Sequence, residues 1–455
     1  MEKKIDAVII GAGLTGLTAA YYLNKRGKSF LVLDKSDRVG GVISTRQVNG
    51  FLYEEGPNTG IIGTPEIAEL FEAIKDDCKI IEANEQVNNR YILKDDNWEV
   101  LPSGLIGGIK TPLFTLKDKI RLLKEPFRKR GTDTNESLAE MVKRRMGLSF
   151  LEYAVDPFIL GVYAGDPAYL VTKYALPKLY KLEQDYGSFI GGAVKKKFQK
   201  KDERNKKVTR RIFSAEQGLS SITDTLYALA GKGNFILGSR NITLRCNKGI
   251  YEIKVEVPGK DEFVIKASSV ISTVPAFELK EIMHEIDTNL LKDAGNVYYA
   301  PVLEVALGFN KWDGMPLEAF GGLIPFKENR DILGIMFMSS LFKGRAPKEG
   351  ALLSIFIGGA RRLELTKLNK KEVAYLLEKD LVPLMKLKEF KPELFEIFTH
   401  KQAIPQYGSE SKIRIIAVEK IRKKYPGLLL GGNLCDGIGM ADRVKQGRQL
   451  ADLVR

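Results

Sequence analysis

A chain of 455 residues carries 71 Lys and Arg against 57 Asp and Glu, a net charge of +14, with only two histidines and three cysteines. No structural zinc site can be assembled from so few spaced N and S ligands, and three scattered cysteines make no disulfide framework, which points to a reducing compartment. His284 and His400 read as structural side chains without partners, so the chemistry is expected to belong to a bound cofactor.

The chain opens on Ile5 to Ile10, an apolar run of the kind buried in a parallel sheet. Gly11-Ala12-Gly13-Leu14-Thr15-Gly16 follows, then a helix to about Lys25 closed by Gly27, then a strand from Phe30 to Leu33 that ends at Asp34. This is a βαβ unit, and its G-x-G-x-x-G turn is a dinucleotide fingerprint. Gly11 permits the tight turn, Gly13 lets the backbone approach a pyrophosphate, and Gly16 lets helix and strand pack closely. The helix start offers free N–H groups to phosphates. Asp34, followed by Lys35, stands where an acid accepts from the adenosine ribose. Arg38 and the glycine pair Gly40-Gly41, with Val42 after it, fit a longer, permanently held dinucleotide, Arg38 supporting the phosphates. Gly56-Pro57-Asn58-Thr59 suits the edge of a ring system.

Helical spacing runs from Thr64 to Ile74, and two strands around Asp95-Asp96-Asn97 lie between Gln86 and Leu101. From Thr115 to about Tyr186 the pattern is mostly helical. Ten basic and two acidic residues from Lys195 to Arg211 read as a loop. Ten basic and five acidic residues lie between Lys117 and Arg145, so these two stretches hold nearly all of the net charge. Strands are expected from Phe235 to Val274 and from Val302 to Gly359. A helix of about three turns starts near Lys370. Leu428 to Leu430, a glycine turn and a helix from about Ala441 to Val454 repeat the opening architecture. The two ends are therefore expected in one discontinuous nucleotide-binding domain. No window reads as a membrane-crossing helix, and the opening is not a signal peptide.

Several segments together resemble one family. Gly11 through Gly41 is similar to the FAD-binding flavoproteins that include monoamine oxidases, phytoene desaturases and protoporphyrinogen oxidases. Tyr53-Glu54-Glu55-Gly56-Pro57-Asn58, Gly161-Val162-Tyr163-Ala164-Gly165, Leu182-Glu183 with Tyr186-Gly187, Ala319 to Pro325, Ile404-Pro405-Gln406-Tyr407, and Gly431-Gly432-Asn433 with Gly437 to Met440 resemble the protoporphyrinogen oxidase family in particular. Departures are Asp34 in place of Glu, Ser409-Glu410 where a histidine often follows, and Arg361 where some members carry an aromatic residue.

The resemblance implies an α/β (α+β) chain: a Rossmann-like FAD-binding domain over 1–75, 210–275 and 420–455, a mixed-sheet substrate domain over 76–110 and 276–419, and a helical, membrane-facing cap over 111–209. It implies oxidation of protoporphyrinogen IX to protoporphyrin IX in haem biosynthesis, in three flavin cycles with oxygen or another electron acceptor. Arg90 would pair with a propionate and Gly161 would lie near the macrocycle. Ile242 would hold the adenine through its backbone, and Gly432, Asn433, Ile438, Gly439 and Met440 would cover the flavin. Readings kept beside it are a coproporphyrinogen III oxidase, another amine oxidase or desaturase, and a porphyrin carrier with a structural flavin. The protein is expected in the cytoplasm, in peripheral contact with the membrane through its basic stretches. Phe198 is the only aromatic residue interleaved in the basic run, so nucleic acid is not the expected partner.

Overall fold

The computed structural model describes residues 4–102, 107, 108, 110–198, 202–259 and 261–454. Parts of the glycine-rich stretch 101–116 and of the basic stretch 195–211 thus lie outside the described residues.

Two seven-stranded sheets organise the chain. In the first, five parallel strands stand in the order Phe235–Ile236, Phe30–Leu33, Ile5–Ile10, Phe263–Ser272 and Leu428–Leu430. Strand Ile5–Ile10 is apolar throughout because both of its faces are covered. Ala7 and Ile9 point to one core with helices Leu14–Lys25 and Met440–Asp452. Val8 and Ile10 point to another with Thr288–Gly295 and Ser411–Lys424. Strand Phe263–Ser272 serves two neighbours on one side. Its first half pairs antiparallel with Ile250–Glu256, and its last three residues pair parallel with Leu428–Leu430.

The second sheet runs Leu394–Pro405, Tyr299–Phe309, Ala351–Gly358, Ile332–Phe337, Gly321–Leu323, Arg90–Lys94 and Asn97–Val100. It is antiparallel except where Gly321–Leu323 meets Arg90–Lys94. Helix Lys370–Met385 covers one face. It exceeds the expected three turns, because a capping box of Asn369 and Glu372 fixes its start and Pro383 falls only in its last turn.

The section between the strands is helical and is built around Arg145. This fully buried guanidinium donates to Glu125 (2.5 Å), Glu183 (2.6 Å) and the Gly187 carbonyl (2.8 Å). Such a charge is tolerated inside only because two carboxylates and a carbonyl meet it. The basic stretch is not a plain loop. Helix Phe189–Lys197 runs into it, and Asp202 caps a further turn, Glu203–Lys206, whose Arg204 bonds Glu69 at 2.7 Å. Neither histidine lacks a neighbour, contrary to the sequence reading. His400 Nε2 lies 3.5 Å from a Glu304 carboxylate oxygen, and His284 Nδ1 lies 3.2 Å from the Glu281 carbonyl. Among the described residues no helix is long and apolar enough to cross a membrane.

Candidate active site

The carboxyl ends of the parallel strands meet at one edge of the first sheet, where ligands of such sheets bind. Gly11 N–H donates to Leu33, Gly40 N–H to Ala12, Thr273 Oγ1 to Gly11 and Gly431 N–H to Ser272, all between 2.8 and 3.1 Å. These bonds bring the fingerprint, the second glycine pair and the late turn Gly431–Met440 to one place. Gly11 takes φ +108°, and a Cβ on Gly16 would run into the Gly11 carbonyl. A Cβ on Gly13 would meet nothing within 4 Å. The helix that starts at Leu14 has no side-chain cap. Open backbone beside uncapped N–H groups fits a pyrophosphate, as the resemblance requires.

Asp34 is held by the backbone: Ala12 N–H donates to one oxygen (2.6 Å) and Ser36 N–H to the other (2.8 Å). Each oxygen keeps a second lone pair for a ribose hydroxyl. Ser239 N–H bonds the Asp34 carbonyl at 2.8 Å, which leads the chain to Ile242. Ile242 sits where pairing with Ile250–Glu256 breaks between Arg240 and Thr243, so its backbone stands outside the ladder.

Some expected contacts are directed elsewhere. The Arg38 guanidinium donates to the carbonyls of Val39 (3.1 Å), Ile43 (3.0 Å) and Gly41 (2.9 Å); it shapes the second glycine turn. Lys35 is ion-paired with Glu278. The Asn58 side chain turns into the core, donating to Glu304 (2.6 Å) and accepting from Ser354 (2.7 Å), and so ties the Gly56–Thr59 loop to the second sheet. Thr59 is left as the last residue of that loop, before the strand Gly60–Ile61. Val42 stands exposed at the rim, its carbonyl hard against Gly56.

The late turn is shaped by Tyr407 of the Ile404–Tyr407 segment and by two residues the sequence did not single out, Arg443 and Gln446. Arg443, buried in the first turn of the last helix, reaches back to it. It donates to the carbonyls of Gly432, Cys435 (3.0 Å) and Gly437 (2.9 Å) and to the Gln446 amide oxygen (2.8 Å). Gln446 also accepts from Gly432 N–H (2.7 Å), and the Tyr407 hydroxyl donates to Gly437 at 3.2 Å. Burial lowers the Arg443 pKa and raises that of Tyr407. Burial also pushes the Cys435 thiol up to about 11, so it stays protonated at neutral pH. Only the polar strand end at Thr273 carried a sequence signal that could have been read.

A second cavity, about 280 Å³, lies against the other sheet. Ile92, Leu101, Phe114, Phe150, Phe158 and Leu323 line it, with Arg90 as its one cation. Burial lowers the Arg90 pKa, and its guanidinium lies 5.3 Å from the Phe320 ring centre. No carboxylate of the described residues pairs with it. Gly161 does not line this cavity itself. It backs Leu323, which a Cβ there would strike. Helix Asp156–Tyr163 links the two regions: Phe158 lines the cavity, and Tyr163 packs in one cluster with Tyr407 and Ile438 of the late turn. Five residues of helix rise roughly 7.5 Å, so cavity and turn are near neighbours.

The arrangement can hold a dinucleotide along the first sheet and an apolar anion beside its far end. The family model described as flavin containing amine oxidoreductase matches residues 14–455. Protoporphyrinogen oxidase 2 of Arabidopsis thaliana is 29% identical over 100% of this chain and 95% of its own. Coproporphyrinogen III oxidase of Bacillus subtilis is 25% identical over 98% and 97%. A crystal structure from Exiguobacterium sp. 255-15, 21% identical over 98% of this chain and 97% of its own, superposes with a TM-score of 0.79 and shows the shared fold.

Proposed function

Because this chain belongs to the flavin-containing amine oxidoreductase family, we propose that it is a porphyrinogen oxidase of haem biosynthesis that converts protoporphyrinogen IX to protoporphyrin IX. The enzyme is an FAD-dependent oxidase. Bound FAD supplies a two-electron acceptor. Each two-electron round would remove two hydrogens, and three rounds with tautomerisation between them would remove six in all, four from the bridging carbons and two from pyrrole nitrogens. Molecular oxygen is the proposed terminal acceptor.

One observation carries the substrate: an apolar cavity with one guanidinium, Arg90, that pairs with no carboxylate among the described residues. Aromatic and aliphatic walls suit the ring edge, and a planar fork suits a propionate. Its volume takes an edge of the macrocycle rather than the whole. The lining holds no side-chain base, which agrees with redox chemistry carried by a cofactor.

The second reading is coproporphyrinogen III, supported by the relative of that name. Four propionates would ask for more than one cation, which favours the two-propionate substrate. Anaerobic addition of each porphyrinogen to the yellow enzyme separates them. Bleaching of the flavin's visible absorption is expected with protoporphyrinogen and slower with coproporphyrinogen. A flavin that neither substrate reduces would overturn both, and leave a carrier.

Peripheral membrane contact from the cytoplasmic side belongs to the same proposal. Helix Leu116–Leu123 leaves Leu116 and Leu123 exposed, and Phe127 beyond it is 88% exposed. Lys117, Arg121 and Lys143 surround a shallow pocket on the same side. Apolar side chains flanked by cations fit an anionic bilayer surface.

A further inference from the structure

Among the buried arginines of the described residues, Arg443 and Arg345 lack a carboxylate partner, and Arg345 bonds Ser214 Oγ and the Ala215 carbonyl instead. Arg145 meets two carboxylates, and Arg414 has Glu410 at 3.9 Å. Arg443 has no carboxylate within 4 Å among the described residues; its partners are carbonyl and amide oxygens. Asp442 caps Gly439 N–H at 3.2 Å, and Asp436 accepts from Gln446 at 2.9 Å, so both nearby acids are turned to other donors. The Arg443 Nε, like that of Arg345 and Arg414, has no hydrogen-bond partner among the described residues.

Its position sharpens the point. A helix start already carries partial positive charge, and cations are favoured at the opposite end. The chain nonetheless buries a guanidinium in the first turn of Met440–Asp452. That turn stands between the nucleotide helix and the Gly56–Thr64 loop, for Thr64 Oγ1 donates to Ala441 at 3.4 Å and Gly447 packs on Thr15 and Thr18. Two positive fields thus meet at the cofactor edge, with Asp442 and Asp436 near enough to act on Arg443 through charge but hydrogen-bonded to other donors. The peptide units whose carbonyls bond Arg443 also turn the N–H groups of Asp436 and Ile438 to the other side, since the two dipolar ends of a trans peptide are opposed.

We propose that Arg443 is a positioning and charge-setting residue of the FAD site: it fixes the turn Gly432–Met440, and its cation offsets the negative charge that the isoalloxazine ring gains on reduction. The proposal rests on the flavin and not on the porphyrinogen, so it can be tested without that substrate. Sulfite is the probe. Its sulfur lone pair forms a bond to N5 of the oxidised ring, no group leaves, and the charge delivered rests on the ring.

Sulfite is titrated into the holoenzyme and into Arg443→Met, Arg443→Gln and Arg443→Lys, following the loss of flavin absorbance, with FAD content and circular dichroism as controls. The neutral variants are expected to bind sulfite at least about tenfold more weakly, which equals about 30 mV for a two-electron couple. Arg443→Lys, which keeps charge but not the fork, should stay within about threefold of the parent, a smaller shift than one tenfold step. If the neutral variants lose FAD and Arg443→Lys retains it, the charge requirement also stands. Equal sulfite affinity in all four proteins, or loss of FAD from all three variants, would overturn it.

Discussion

Arg90 is the residue on which substrate choice turns. Its cation stands in an apolar cavity with no acid of the described residues beside it. Arg90→Ala should raise KM about tenfold to a hundredfold, the loss of a charge-assisted hydrogen bond, with kcat little changed. Steady-state kinetics with protoporphyrinogen checks this; an unchanged KM would remove Arg90 from substrate binding. Glu54 makes a separate prediction. It is buried, accepts from Leu219 N–H (2.9 Å) and Thr45 Oγ1 (2.5 Å), and burial pushes its pKa up to about 7. The folded protein therefore holds a proton there that the unfolded chain releases near pH 4.5. The favourable contribution is full below that pH and fades as pH rises toward about 7. Glu54→Gln should remove this loss, gaining on the order of 3 kcal/mol over the parent between pH 5 and 8. Denaturant melts at both pH values measure it, and parallel pH profiles would contradict it. The glycines and Asp34 were legible because each meets a backbone or charge requirement at a fixed spacing, whereas Arg90 was legible only through the family resemblance. Arg443 was not, because an arginine inside a helix pattern reads as a solvated face until its burial is seen.

Elements add what single residues cannot. Helix Leu138–Arg145 has a capping box of Ser137 and Glu140 and delivers Arg145 to Glu125 and Glu183. Arg145→Ala leaves the buried Glu125 without its cation and Glu183 with Arg144 alone, and should cost about 3–5 kcal/mol. Thermal unfolding with far-UV circular dichroism reads that loss. Helix Leu116–Leu123 makes the opposite use of its side chains, showing apolar ones to solvent. Leu123→Asp with Phe127→Asp should abolish cosedimentation with anionic vesicles while leaving flavin content unchanged. Undiminished binding would place the membrane contact elsewhere. Strand Ile5–Ile10 and the hairpin at Asp95-Asp96 could be read from the sequence, since a continuous apolar run and a turn pair are local signals. Strand Leu394–Pro405 gave no such signal. It is an edge strand without clean alternation of buried and exposed residues. Helix Ser411–Lys424 exposes Ile413 and Ile416, which blurs its apolar stripe.

At the scale of the molecule, the FAD site is assembled from segments far apart in the chain and should stabilise it by linkage. FAD held at about a hundred times its Kd should add roughly 2.7 kcal/mol over the apoprotein. Differential scanning calorimetry with and without FAD tests this, and identical transitions would argue against a preformed cofactor site. Which distant segments meet was legible only through the family resemblance, because no local pattern says that Thr273 closes on Gly11 or that Arg90 faces Phe150.

Strand Phe263–Ser272 has a consequence for biosynthesis. Its last residues find their second partner only at Leu428–Leu430, and the helix that covers the fingerprint follows at Met440–Asp452. At roughly 5–20 residues per second, the ribosome exposes the glycine fingerprint tens of seconds before that closing segment. During that interval the nucleotide edge is open on one side. Cofactor loading is then a late event, completed once the closing strand and helix have left the exit tunnel. Nascent chains stalled before Leu428 should hold no flavin, and chains stalled on an added C-terminal extension long enough to bring Asp452 out of the tunnel should.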